Sequence, residues 1–260
     1  MLFLLTLIVG GRLKRIERRA YILISLQTEA LFMTMSKNCE RNLQAEHQLI
    51  RDVYNRRSSC YNILIEILSL GRDLSYRREA VQRLNLKRGD RVLDLGCGTG
   101  LNFPLILERI GDEGGLVAVD SSCGMLEVAR KWLDSRNVKN VSLVAGDVTE
   151  ALFRAECFDA IISTYLFSTV IGWRDSLEGH LTSLRTGGAF VLADDILPAG
   201  WFAGPLIMLK WLKRYGWLNS SRDLIAYMKE MGDDFRLTRH HLGMIFVVSG
   251  KKAVSSRECY

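Results

Sequence analysis

Residues 92–100 read VLDLGCGTG, in which Gly96, Gly98 and Gly100 alternate with Cys97 and Thr99 just after an apolar run that carries one carboxylate, Asp94. Glycine lets a backbone approach a ligand where a Cβ would clash, so such a loop can cradle an adenosine-bearing cofactor. A dinucleotide cradle spaces its glycines G-x-G-x-x-G and rests the pyrophosphate on the following helix N-terminus. Here the third glycine comes one residue early and position 101 is Leu. Asp94, two residues before the loop, would repel a pyrophosphate and attract an ammonium group, directly or through water. Cys97 is not read as a nucleophile, because a tight cofactor loop leaves no room for a covalent intermediate.

Other residues recur at telling distances. Asp120 ends the next apolar run, 20 residues beyond Gly100, where a carboxylate can take both hydroxyls of a ribose. Asp147 ends the run after that, where it can accept from an adenine amino group, and Met125 lies one helical turn into the intervening helix, placed to pack on the ring. A nucleoside, a positive centre and an amino-acid end with no phosphate describe S-adenosylmethionine.

These residues resemble the class I S-adenosylmethionine-dependent methyltransferases. VLDLGCGTG matches the first motif of that family, VAVDSSCGML the second, VAGDV the third, and FDAIIST with LRTGGAFVLADD the fourth and fifth. The resemblance spans roughly residues 50–250. It implies that Asp94, Gly96, Cys97, Gly98 and Gly100 line the methionine and ribose portion of the cofactor. It further implies that Asp120, Ser121 and Met125 contact ribose and adenine, that Asp147 and Val148 close on the adenine, and that Thr164 opens onto the methyl group.

The elements that must position these residues show in the hydrophobic pattern. Near-continuous apolar runs at 91–96, 115–120, 141–147, 158–164 and 187–195 alternate with helical stretches at 104–110, 123–136 and 172–185. That alternation predicts a Rossmann-like, doubly wound α/β fold with a parallel sheet covered on both faces. Two further runs at 235–242 and 243–252 predict closing strands, and the resemblance implies seven strands with the last antiparallel. Apolar stripes over 36–86, including a helix over 73–85, predict a helical cover over 36–88 ahead of a cofactor domain at 89–252, with a tail at 253–260.

Residues 1–35 stand apart. MLFLLTLIV is followed by GGRLKRIERR and then by AYILISLQTEALFM. Neither apolar stretch reaches the roughly 20 residues of a spanning helix, and charges that follow the apolar run reverse the order of a signal peptide. An interfacial anchor, an extension outside the fold, and a signal or membrane segment remain open readings.

The 260-residue chain carries 35 basic and 29 acidic side chains, a net charge of +6, without the basic blocks that would indicate nucleic acid. Its six cysteines are scattered with no CxxC pair, which argues against a disulfide framework or a metal site and for a cytoplasmic protein, with peripheral contact at the inner face of a membrane as an option. The oligomeric state is not legible.

The acceptor is read from two subfamily resemblances. YNRRSSCYNILIEILSLG with REAVQRLNLKRGDRVLDLGCGTG resembles the entry to the quinone-biosynthesis C-methyltransferases. LGCGTGLNFPLI, STYLFSTVIGWRDSLEGHLTSLRTGG and HHLGMIFVVSGKK resemble bacterial phosphatidylethanolamine N-methyltransferases. The second set spans more of the chain, which favours N-methylation of a lipid amine headgroup such as phosphatidylethanolamine. C-methylation in quinone biosynthesis and small-molecule O- or N-methylation are the alternatives. The aromatic-rich stretch 201–217 suits either a membrane-facing segment or a lid on the sheet. Tyr54 and Tyr61, two helical turns apart, and Tyr165 after the fourth strand are candidate acceptor contacts. His180 and the His240–His241 pair lack a convincing acid–base partner, so no general base is assigned.

Overall fold

The computed structural model describes residues 71–150, 152–170, 172–195, 221–240, 243 and 245–253, together with residues 48, 51, 52, 54, 55, 58, 62 and 66. The chain divides into two compact units, Met1–Gln48 and Leu49–Tyr260, and the whole sheet belongs to the second.

The expected strands form. They are β1 (Arg91–Leu95), β2 (Gly115–Asp120), β3 (Val141–Ala145), β4 (Phe158–Thr164), β5 (Leu184–Asp195), β6 (Gly232–His240) and β7 (Ile245–Lys252). One seven-stranded sheet results, in the order β3-β2-β1-β4-β5-β7-β6. The first five strands run parallel, and β7 inserts antiparallel between β5 and β6. The fold is therefore the Rossmann-like, doubly wound arrangement with its last strand reversed.

Strand side chains point alternately to two faces, and both faces are buried. Leu93, Leu95, Ile161, Phe190 and Leu192 enter one core, with Trp173, Leu177 and Leu181 of helix α4 (Trp173–Ser183) and Leu224 and Met228 of α5 (Ser221–Met231). Val92, Ala118, Ala160, Ile162 and Val191 enter the other. That second core takes Ala80, Val81 and Leu84 from the end of α1 (Asp73–Arg83), Phe103, Ile106 and Ile110 from α2 (Phe103–Ile110), and Ala129 and Leu133 from α3 (Cys123–Ser135). Two-sided burial is why the strands read as unbroken apolar runs. Each fully buried large side chain contributes about 1.5–3 kcal/mol.

Boundaries shift where the pairing bends. β5 starts at Leu184, three residues earlier than its apolar run, because Leu184 already pairs with Phe158 before a register shift near Gly187, whose φ is +74°. β6 likewise starts at Gly232 and crosses an irregularity at Asp233–Arg236, with Asp234 at φ +55°. β3 ends at Ala145, so Gly146 and Asp147 lie in the loop beyond it rather than in the strand. Helix α5 has no counterpart in the sequence reading. The aromatic stretch 201–217, Tyr61 and His241 lie outside the described residues.

Candidate functional site

In a doubly wound sheet the strand order reverses at one point, and ligands bind outside the carboxyl ends of the strands there. In this sheet that point is β1, flanked by β2 and β4. The carboxyl ends of these strands carry Asp94, Asp120 and Thr164.

The three loop glycines all hold positive φ, +66° at Gly96, +56° at Gly98 and +83° at Gly100, yet each answers to a different neighbour. A Cβ on Gly96 would come within 2.8 Å of the Leu166 side chain, and one on Gly100 within 2.5 Å of the Phe103 ring. A Cβ on Gly98 would meet nothing within 4 Å. The outer two glycines thus serve packing, while Gly98 faces the open cradle in which a cofactor backbone contact can form. The loop is anchored by the Cys97 N–H donating to the Val119 carbonyl at 2.9 Å and the Gly98 N–H donating to Asp120 Oδ2 at 2.8 Å. Burial, with the charges of Asp94 and Asp120, pushes the buried Cys97 thiol up, so it stays protonated and inert.

Asp94 is fully buried, and both its oxygens accept from Asn102 Nδ2, at 3.1 and 3.2 Å. Asn102 Oδ1 in turn accepts from Arg77 Nη1 at 3.0 Å, and the same nitrogen donates to Thr164 Oγ1 at 2.7 Å. Arg77 Nε donates to Asp73 Oδ2 at 2.6 Å, a buried ion pair one turn apart on α1. Desolvation pushes the Asp94 carboxyl up to about 7, against the opposing influence of Asn102 and the Arg77 cation. A carboxyl that titrates near 7 is one whose ionised form a bound ammonium group would stabilise.

At the end of β2, Asp120 divides its oxygens between Gly98 N–H and Ser122 N–H, the latter at 2.8 Å. Ser122 caps α3 by accepting from the Met125 N–H at 3.2 Å. Ser121 is half-buried beside it, and Met125 is buried. Asp147 accepts from the N–H and hydroxyl of Thr149 and pairs with Arg51 at 3.6 Å. The Val148 side chain is buried, and its carbonyl accepts from Ser176 and faces His180 Nε2 at 2.8 Å. Burial lowers the His180 pKa, which favours the neutral ring, and its Nε2 contact with the Val148 carbonyl braces the loop after β3.

Tyr165 follows β4 with φ +58°, rare for an aromatic residue. Its amide donates to the Ala193 carbonyl at 2.8 Å, and Arg77 lies 5.3 Å from its ring centroid. Burial and the nearby Asp73 charge push its phenol up, so it remains a donor. Tyr54 is half-buried in a helical segment that also carries Arg51 and Asn55. His240 packs on Tyr76 with ring centroids 4.8 Å apart and bonds Glu79 Oε2 at 2.7 Å, which ties β6 to α1.

Sequence reasoning missed Asp73, Arg77, Asn102, Asn55 and Arg51. The signal for the first two was present: Asp73 and Arg77 share the apolar stripe of α1 with Tyr76, Ala80 and Val81, where a solvated charge has no place. Asn55 Oδ1 accepts from the Ser122 hydroxyl at 2.7 Å and from the Gly124 N–H at 3.0 Å, an alliance across more than 60 residues that no local pattern marks.

The comparisons with known proteins agree with this geometry. A methyltransferase domain family matches residues 92–188, from the start of β1 through the first half of β5. Fold, cradle and family match make the chain a class I S-adenosylmethionine-dependent methyltransferase. Within that class it resembles a demethylmenaquinone methyltransferase of Bacillus cereus, with 24% identity over 206 residues, covering 74% of this chain and 87% of the relative. A solved S-adenosylmethionine-dependent methyltransferase from Aquifex aeolicus shares the fold at TM-score 0.53 and 18% identity, covering 68% of this chain and 89% of that one. A geranyl diphosphate methyltransferase in complex with S-adenosylmethionine shares it at TM-score 0.61 and 12% identity, over 70% of this chain and 86% of that one.

Proposed function

We propose that the chain transfers a methyl group to a ring carbon of a quinol, a reading prompted by relatives named as demethylmenaquinone methyltransferases, and not to the lipid amine that the larger set of sequence resemblances favours. The observation that carries this reading is the correspondence over 206 residues, which spans 87% of the relative and so is not confined to the cofactor domain. S-adenosylmethionine, when bound, supplies a methyl group on a sulfonium sulfur. The residues that would hold it are Asp94, Gly96, Cys97, Gly98 and Gly100 at the methionine and ribose portion, with Asp120, Ser121, Met125, Asp147 and Val148 around the nucleoside. Thr164 belongs at the methyl end. Tyr165 is the candidate acceptor contact, joined by Tyr54.

Methyl transfer is an in-line displacement, so the protein's part is chiefly alignment and exclusion of water. The ring carbon would take the methyl group as the carbon–sulfur bond breaks, leaving a neutral thioether, and would then lose its proton to solvent; the reduced hydroquinone is the reactive form because its hydroxyl oxygens make the ring carbon electron-rich. Tyr165, a protonated phenol by burial, suits donation to an acceptor oxygen, and the neighbouring Arg77 suits an acceptor that develops phenolate character.

The test incubates the purified chain with methyl-labelled S-adenosylmethionine and either demethylmenaquinol kept reduced in detergent or phosphatidylethanolamine vesicles. Label in the quinone fraction is expected. Label confined to amine headgroups would overturn the reading and restore the lipid amine.

A further inference from the structure

Arg77 is charged, only 3% exposed, and joins groups that lie 25 and 87 residues away in sequence. A buried guanidinium is costly unless it is paired and hydrogen-bonded, and the partners of Arg77 show what its charge acts on. Its chain of contacts leads to one place. Arg77 donates to Asn102 Oδ1, which fixes the amide so that Nδ2 points at both oxygens of Asp94 and at Thr164 Oγ1. Asp73 completes the chain by holding Arg77 Nε at 2.6 Å.

We propose that Arg77 is a positioning residue that, through Asn102, sets the charge of Asp94 and makes binding of S-adenosylmethionine a proton-releasing step governed from α1. The groups around Asp94 set the balance. Arg77, with Asp73 behind it, stands on α1; Asn102 and the protonated Cys97 lie in the loop; Asp120 lies on β2 and opposes ionisation of Asp94; Thr164 lies on β4. With the Asp94 carboxyl raised to about 7, part of the free protein carries the proton at neutral pH. An ammonium group seated at this end of the loop favours the ionised form, so binding drives that part to release it. The inference rests on the cofactor and not on the acceptor.

Calorimetry of S-adenosylmethionine binding to the full chain, in buffers of different ionisation enthalpy from pH 6 to 8, counts the protons. The wild type should release a fraction of a proton at neutral pH, fading as pH rises. Arg77→Met should release more of a proton than wild type at pH 7 and bind about fivefold more weakly, and Arg77→Lys should return both values toward wild type. Asp94→Asn supplies the baseline from the cofactor's own amine. Because Arg77→Met removes the ion-pair partner of the buried Asp73 carboxylate, the Asp73→Asn/Arg77→Met double variant, which removes both charges of the pair, is measured beside it. The same proton count in wild type and in every Arg77→Met variant, or no release above the Asp94→Asn baseline, would overturn the proposal. A failed quinol assay would leave this result intact.

Discussion

Gly98 and Gly100 stand two residues apart in a loop of identical appearance, and substitution should separate their roles. Gly98→Ala carries about 1 kcal/mol of left-handed strain but meets no neighbour within 4 Å, so it should spare the fold and weaken cofactor binding. Gly100→Ala drives a methyl group into the Phe103 ring and should lower stability by about 1–3 kcal/mol beyond its strain. Urea midpoints paired with S-adenosylmethionine titrations check both. Asp94 makes a pH prediction with a definite sign. Its carboxyl sits at about 7 in the folded chain and near 4 when unfolded. Between those values the native state holds the extra proton, so stability should fall as pH rises from about 4 to 7 and level off above. Asp94→Asn should remove that slope and unfold at higher urea than wild type at pH 8. Urea midpoints at pH 5 and pH 8 decide it.

At the scale of elements, the cofactor cradle is a junction of three pieces of backbone held by two side chains. Asp120 ties β2 to the glycine loop and to the N-terminus of α3, so Asp120→Ala should cost cofactor affinity at least tenfold while losing only the stability of two hydrogen bonds, about 2 kcal/mol. Unchanged affinity by calorimetry would remove Asp120 from the site. Ser122 is both the cap of α3 and the partner of Asn55, so Ser122→Ala should cost about 1 kcal/mol in thermal or urea unfolding. Helix α1 is tied to the far edge of the sheet by Arg83, which bonds Glu79, Thr238 and the Val247 carbonyl, and by the His240–Glu79 contact. These ties fix the helix that carries Asp73 and Arg77. The stripe of α1 was legible in the sequence, but the partners of Arg83 were not, because they lie on strands more than 150 residues later.

For the molecule as a whole, every described contact at the cradle comes from residue 51 onward. A chain lacking residues 1–34 should therefore bind S-adenosylmethionine with unchanged affinity. Its partition onto anionic vesicles, compared with that of the full chain, tests the interfacial reading of those residues. Among the described residues no helix is long and apolar enough to cross a membrane. What the sequence by itself determined is the part written in short-range chemistry. Apolar runs gave the strands, because burial on both faces leaves few polar positions within them, and those few, such as Asp94, stand out. The early third glycine and the carboxylates at the ends of β1 and β2 gave the cofactor, because that charge layout suits an ammonium and rejects a phosphate. Only the tertiary structure decided which of the three glycines faces the cradle and how the charge of Asp94 is held. Those properties depend on Leu166 meeting Gly96, and on Arg77 meeting Asn102 and Thr164. Such contacts join distant stretches of chain only after the sheet has closed, and no local periodicity carries their trace.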